Sequence, residues 1–474
     1  MSRGRRALLR AAAGASLALA LAAAPAAHAA PGLDLGFSDS AFAGAGADRD
    51  AALQRAAGAG AGIVRIDVGW VAPDTATRPA SFDPRDPADP NYGFGAADAA
   101  IRAATAQGLR ILATFTGAPR WAEGRRRPAS AAPGSWRPGP KALGDYGTAL
   151  ARRYSGAFPD PANPGRTLPR VAAFQVWNEP NLAKYLSPQW SGSRMEAPAR
   201  YRRMLRAFYA GVRAGGSDAL IVTAGTAPFG DPGAGGARIM PARFVRSLLC
   251  LHESGGRLHS VHCADPARFD VLAHHPYSVG SPARRALNDD DVSIPDIGKL
   301  TRLLRAAERG GGALPRERHG LWVTEVSYDS SPPDPDGVPL RTHARFLDQT
   351  LFELWSQGVG AVFWFQVADQ EPRPSYAATN QSGVYFQGGR PKPALRAFRF
   401  PLAARATGSI LTVWGRAPVA GVVRIERRSA AGWRLLRTLP AAAGATFVAR
   451  VPRRGTMAVR ARAGGLTSLA WLTG

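Results

Sequence analysis

Eight short apolar runs, each leading into a helical stretch, constrain this chain more than any other feature. The runs are 33–38, 63–70, 109–116, 171–177, 220–225, 269–275, 320–326 and 361–367. They are mostly continuous rather than strictly alternating, the pattern of strands covered on both faces in a parallel sheet. Between them the spacing predicts helices over 49–57, 96–106, 143–154, 199–214, 241–251, 297–308 and 342–357, with a short eighth at 391–398. Tyr201, Leu205, Phe208 and Val212 share one face of the fourth helix. Eight units across residues 30–399 predict an α/β fold of the (β/α)8 TIM-barrel type with long loops. A doubly wound open sheet is the rival, but the chain has no phosphate-binding glycine loop.

After residue 400 helical periodicity stops. Short alternating strands are expected at 410–414, 421–427, 434–438, 446–451, 457–462 and 468–472, a small C-terminal β-sandwich over 400–474. This segment is rich in Arg and has one acid, Glu426. Trp414, Trp433 and Trp471 are expected in its core, with a sugar-binding platform as the alternative.

The first ten residues carry Arg3, Arg5, Arg6 and Arg10, an uncharged Ala/Leu run follows to residue 24, and Ala27-His28-Ala29 ends it. Charge, apolar stretch and small-x-small site in that order predict a signal peptide over 1–29, and hence a secreted or cell-surface protein. A retained anchor is the alternative, and Arg5-Arg6 loosely matches a twin-arginine signal. Beyond it no apolar run approaches the ~20 residues of a membrane span, so no integral membrane domain is expected after signal removal. In an oxidising compartment Cys250 and Cys263, the two cysteines, are expected to pair. A metal site with His252, His259 and His262 is the rival, but the spacing fits no zinc pattern. The net charge of +25 comes almost entirely from Arg, with four lysines. In an Ala-, Gly- and Pro-rich chain this reads as compositional bias, so no nucleic-acid partner is expected. The acidic loops 83–89, 289–291 and 334–336 lack a calcium-loop pattern and read as solvated. A monomer that needs no metal or cofactor is expected.

In such a barrel the chemistry sits at the carboxyl ends of the strands. Trp177-Asn178-Glu179-Pro180-Asn181 follows run four, and Thr324-Glu325-Val326 closes run seven. His274-His275-Pro276-Tyr277 follows run six, and Arg65 lies within run two. Two carboxyls across one mouth suit glycosidic cleavage, in which one protonates the leaving oxygen and the other attacks or stabilises the anomeric carbon. Arg65 in an apolar strand needs an anionic partner, and Glu325 is the candidate. Trp70, Trp121, Trp136, Trp177, Trp190 and Trp364 fall at or beyond strand ends, and about half are expected to meet a sugar.

Taken together, these motifs resemble clan A of the glycoside hydrolases, closest to family thirty-nine, whose members include β-xylosidase-like and exopolysaccharide glycosidase-like enzymes. Trp177–Leu182 resembles the acid/base motif and Val64-Arg65-Ile66 the second-strand arginine motif. Gly117–Ala122 is similar to the Pro/Trp loop after strand three, His275-Pro276-Tyr277 to the His-x-Tyr motif, and Gly388–Ala394 to the turn before the last barrel helix. The resemblance implies a retaining hydrolase of poly- or oligosaccharides. It makes Glu179 the acid/base and Glu325 the nucleophile. Asn178 would bond the sugar 2-hydroxyl, and Arg65 and Tyr277 would keep Glu325 ionised. It also brings His275 and Trp121 to the substrate and makes Trp364 a flat floor beneath it. Strand seven departs from the family by reading Thr-Glu-Val-Ser-Tyr where close relatives often place Trp and Asn. A non-catalytic carbohydrate-binding barrel and a transglycosylase are the alternative expectations.

Overall fold

The computed structural model describes residues 32–473, so the expected signal peptide lies outside the described residues. Eight parallel strands close a barrel: β1 (Asp34–Ser38), β2 (Ile63–Asp67), β3 (Arg110–Phe115), β4 (Ala173–Val176), β5 (Leu220–Thr223), β6 (Val271–His274), β7 (Gly320–Val326) and β8 (Ala361–Trp364). Each pairs with its sequence neighbours, and β8 closes on β1 with Phe37 opposite Trp364. All eight expected runs become barrel strands, and the doubly wound alternative falls away.

Helices α1 (Gly46–Gly58), α2 (Gly95–Ala106), α3 (Pro140–Arg153), α4 (Ala197–Ala214), α5 (Pro241–Leu248), α6 (Gly298–Gly310), α7 (Leu340–Ser356) and α8 (Pro393–Arg399) follow their strands. On α4 the apolar stripe of Tyr201, Leu205, Phe208 and Val212 is buried. The barrel floor is a separate apolar cluster that includes Ile63, Leu112, Ala173, Val222, Val271 and Phe363. It closes because residue 36 is glycine; a Cβ there would lie 2.4 Å from the Ile63 carbonyl oxygen. Cys250 and Cys263 are disulfide-bonded and enclose the hairpin Leu251–Ser254/Arg257–Ser260. No helix of the described residues is long and apolar enough to cross a membrane.

The C-terminal segment forms two antiparallel sheets. Leu402–Thr407, Ile410–Arg416 and Thr446–Pro452 make one. In the other, Gly421–Ser429 lies between Gly432–Ala441 and Met457–Ala463, with Leu466–Thr467 and Trp471–Thr473 pairing on Met457–Ala463. The strand at 402–407 was not expected, because its Ala-rich sequence shows little alternation.

Barrel and sandwich form one compact unit. The Trp414 ring is buried 5.7 Å from Phe352 and 5.6 Å from Trp355, both on α7. Arg345 stacks on the buried Trp471 ring, and Arg396 of α8 donates to the Thr467 and Ser468 carbonyls. Trp414 and Trp471 are therefore core residues. Replacing Trp414 with Ala removes the ring that seats the sandwich and should cost about 3–5 kcal/mol of stability, measured by urea denaturation. Unchanged stability would mean that the sandwich does not rest on the barrel through this residue.

Candidate active site

Strand alternation decides what enters the barrel. Ile63 and Phe363 belong to the floor, so residues two positions further along their strands also face inward. This rule brings Ser38, Arg65, Gln175, His275 and Thr324 together as a polar layer above the apolar floor, and each of them is buried. Glu325, one position after Thr324, would face the helices by strict alternation. A β-bulge prevents this: Val323 pairs with Val362 and Val326 with Trp364, so β7 carries one extra residue there. Bulges re-aim side chains, and this one turns Glu325 into the mouth.

Glu179 arrives by a different route. β4 ends at Val176, and the backbone then takes positive φ at Trp177 (81°) and Glu179 (36°). Such φ values are costly for residues other than glycine, so the surroundings must hold them. The Trp177 indole is buried and donates to the Tyr185 carbonyl at 2.8 Å. The Glu179 N–H donates to the Gly225 carbonyl at 3.0 Å. Asn181 is fully buried; its amide donates to the Ala227 and Ile239 carbonyls, and its oxygen accepts from the Ala227 N–H.

The two carboxylates meet at His275. Its Nδ1 lies 3.0 Å from Glu179 Oε1 and 3.8 Å from Glu325 Oε2. The sum of these distances is the largest gap the two oxygens can have, and it is reached only if the three atoms are collinear. That limit falls at the bottom of the roughly 6.5–9.5 Å range of inverting glycosidases and admits the ~5–5.5 Å of retaining ones. His275 Nε2 meets Thr324 Oγ1 at 3.0 Å, and Thr324 Oγ1 accepts from Gln175 Nε2 at 2.9 Å.

Glu325 is held from two sides. Arg65 Nη1 donates to Oε1 at 2.6 Å, and Tyr277 Oη donates to Oε2 at 3.1 Å. Arg65 also donates to Gln175, to Ser38 Oγ at 3.1 Å and to Asn178 Oδ1 at 3.0 Å. Burial alone would push the Glu325 carboxyl up; the electrostatic influence of His275 and of the Arg65 guanidinium and the hydrogen bonds from Tyr277 and Arg65 outweigh it and hold it below the ordinary Glu value. Burial and the two carboxylates push the Tyr277 phenol well up, so it remains a donor. Because Asn178 Oδ1 faces Arg65, its Nδ2 hydrogens are left without a protein acceptor among the described residues.

His274, beside His275, is structural. Its ring is buried between Thr226 Oγ1 (2.8 Å) and the Val292 carbonyl (2.9 Å), and burial lowers its pKa to about 3.

Trp364 is not the floor of this site. Phe363 points into the barrel, so Trp364 points outward; it is fully buried beneath the helices, and its indole donates to the Ser382 carbonyl at 2.8 Å. Phe365 has the inward parity, is partly exposed, and donates its N–H to the Val326 carbonyl at 3.1 Å, beside Glu325. Strand eight therefore presents Phe365 to the mouth. Trp121 sits half-buried in an aromatic cluster with Trp70 and Phe82, its indole donating to the Pro73 carbonyl at 2.9 Å. None of these contacts reaches the carboxylate pair. Trp70 and Trp177 are buried as well, whereas Trp136 and Trp190 are half-buried.

No family model matches the sequence, and no curated protein matches it. Among solved structures, a family 39 glycoside hydrolase from the gut symbiont Bacteroides cellulosilyticus WH2 is 16% identical and has a TM-score of 0.52, covering 89% of this chain and 81% of its own. The catalytic domain of a GH30 xylanase C from Talaromyces cellulolyticus is 14% identical with a TM-score of 0.47, covering 90% and 98%. The first likeness establishes the shared fold.

The site also depends on a missing methyl group. A Cβ at Gly225 would lie 2.1 Å from His275 Nε2. Gly225→Ala should displace the imidazole and cost about 1–3 kcal/mol, read by urea denaturation. Wild-type stability in this variant would contradict the placement of His275.

Proposed function

We propose that this chain is a secreted retaining glycoside hydrolase that cleaves an equatorial O-glycosidic bond of a poly- or oligosaccharide, without a cofactor. The observation that carries this reading is the unequal treatment of two carboxyls beside one imidazole. Glu325 is clamped by Arg65 and Tyr277 in the ionised form, as a nucleophile must be. Glu179 faces His275, a group able to give or take a proton.

Glu179 protonates the glycosidic oxygen as the bond to the anomeric carbon breaks, and a Glu325 oxygen bonds to that carbon. Glu179, a carboxylate once it has given up that proton, then accepts a proton from water. The water oxygen takes the anomeric carbon and frees Glu325 with configuration retained. Asn178 Nδ2 is free to donate to the sugar 2-hydroxyl, a bond that strengthens as positive charge develops. Phe365 offers the aromatic surface first expected of Trp364.

On an aryl glycoside that the protein turns over, Glu325→Gln should lower kcat by roughly 10⁴-fold or more. Glu179→Gln should slow substrates with poor leaving groups far more than activated ones, because only the former need the proton. Full rate in Glu325→Gln would sink the assignment. A chain that binds sugar without turnover would be the carbohydrate-binding barrel, and product formed only with a sugar acceptor would mark a transglycosylase.

The pH profile follows from the clamp. The Glu325 carboxyl sits below the ordinary 4.5, so the nucleophile is ionised above that pH and is lost as pH falls through its lowered value. Tyr277→Phe removes a hydrogen bond to the ionised form, which raises that pKa and should move the acid limb of kcat/KM to higher pH. An unmoved limb would show that Tyr277 does not stabilise the carboxylate.

A further inference from the structure

Of the three sandwich tryptophans, Trp414 and Trp471 are consumed by the core, while Trp433 is partly exposed on the outer face of the larger sheet. Cross-strand register defines its neighbours on that face. Arg428 is opposite Trp433, Glu426 is opposite Leu435 and Arg460, and Arg424 is opposite Thr438 and Arg462. The inner face of the same strands carries Val423, Ile425, Val459 and Ala461, all buried.

Two features of this face do not serve the fold. First, like charges directly opposite each other destabilise a sheet. Arg424 and Arg462 are such a pair, and Arg424 has no ion pair or hydrogen bond among the described residues. Among the described residues the face has one carboxylate, Glu426, which Arg460 holds at 2.8 Å and Arg462 reaches at 3.9 Å, so Arg424 is left without an anion. Second, the cations are interleaved with exposed apolar groups: Val422 and Leu435 are each 55% exposed, and Arg460 and Arg428 flank the Trp433 ring at 4.2 and 5.8 Å. Arg424 and Arg462 also line a shallow notch closed by Gly464 and Gly465.

We infer that this outer face is a binding platform for a strand of uronic-acid-containing polysaccharide, with Trp433 and Leu435 against the sugar faces and Arg424, Arg428 and Arg462 as donors to its carboxylates. A guanidinium fork matches a carboxylate in two parallel hydrogen bonds, and an indole gives the apolar face of a pyranose its contact. The inference rests on the proposed function in taking polysaccharide as the barrel's substrate. The sandwich is one unit with the barrel, so a strand held on this face is anchored to the same body as the mouth.

The test is affinity electrophoresis of the full chain in gels containing polygalacturonate, with neutral dextran and duplex DNA as comparison ligands. Binding is read without turnover, so the outcome is independent of the hydrolase assignment. Polygalacturonate should retard the wild-type protein at 0.1 M salt, and dextran should not. Arg424→Gln/Arg428→Gln and, separately, Trp433→Ala should each weaken binding by about tenfold. The equally charge-reducing Arg302→Gln/Arg309→Gln, exposed on α6, should change it less than about twofold. No retardation by polygalacturonate, equal weakening by the α6 variant, or tighter binding of duplex DNA would each overturn the inference.

Discussion

A carboxylate withdrawn from most of its water at the top of a barrel must be neutralised or provided with a cation, and the mouth is organised around that requirement. Glu325 has Arg65 at 2.6 Å, and Arg65 in turn needs acceptors for its remaining donors. Ser38 on β1, Gln175 on β4 and Asn178 beyond it supply them. Gln175 then reaches Thr324, Thr324 reaches His275, and His275 reaches Glu179. One ion pair thus ties together strands from around the whole barrel. Removing one partner of such a pair leaves an uncompensated buried charge, which costs about 3–5 kcal/mol, so the second carboxyl is held by the same network that satisfies the first.

Much of this was legible in the sequence. The eight apolar runs located the barrel strands, because strands covered on both faces carry little else. Arg65 could be paired with Glu325 because a buried guanidinium in an apolar strand needs an anion. The phase of each strand was harder to read. In the run Ala361–Val367 every position but Gln366 is apolar, so nothing distinguishes Trp364 from Phe365 as the inward residue; only the packing of Phe363 in the floor decides it. The bulge that turns Glu325 inward is equally silent, since it depends on pairing with β8. Gln175 was missed although it left a signal: an amide inside Ala-Ala-Phe-Gln-Val must find partners once buried.

The C-terminal segment shows a different division of labour. Trp414 and Trp471, with Arg345 and Arg396, fix the sandwich against α7 and α8. The larger sheet is left with one covered face and one face that is basic and partly apolar. Composition bias accounts for the abundance of arginine in this chain, but it does not account for two arginines placed directly opposite each other on the sheet face that carries a partly exposed tryptophan.

The stereochemistry of the first product tests the central claim most directly. Proton NMR on a fresh reaction, before the released sugar mutarotates, reads the anomeric configuration. Two carboxyls sharing contact with one imidazole nitrogen predict the same configuration as in the substrate. Release of the opposite anomer would mean that water, and not Glu325, attacks the sugar, and would contradict the account.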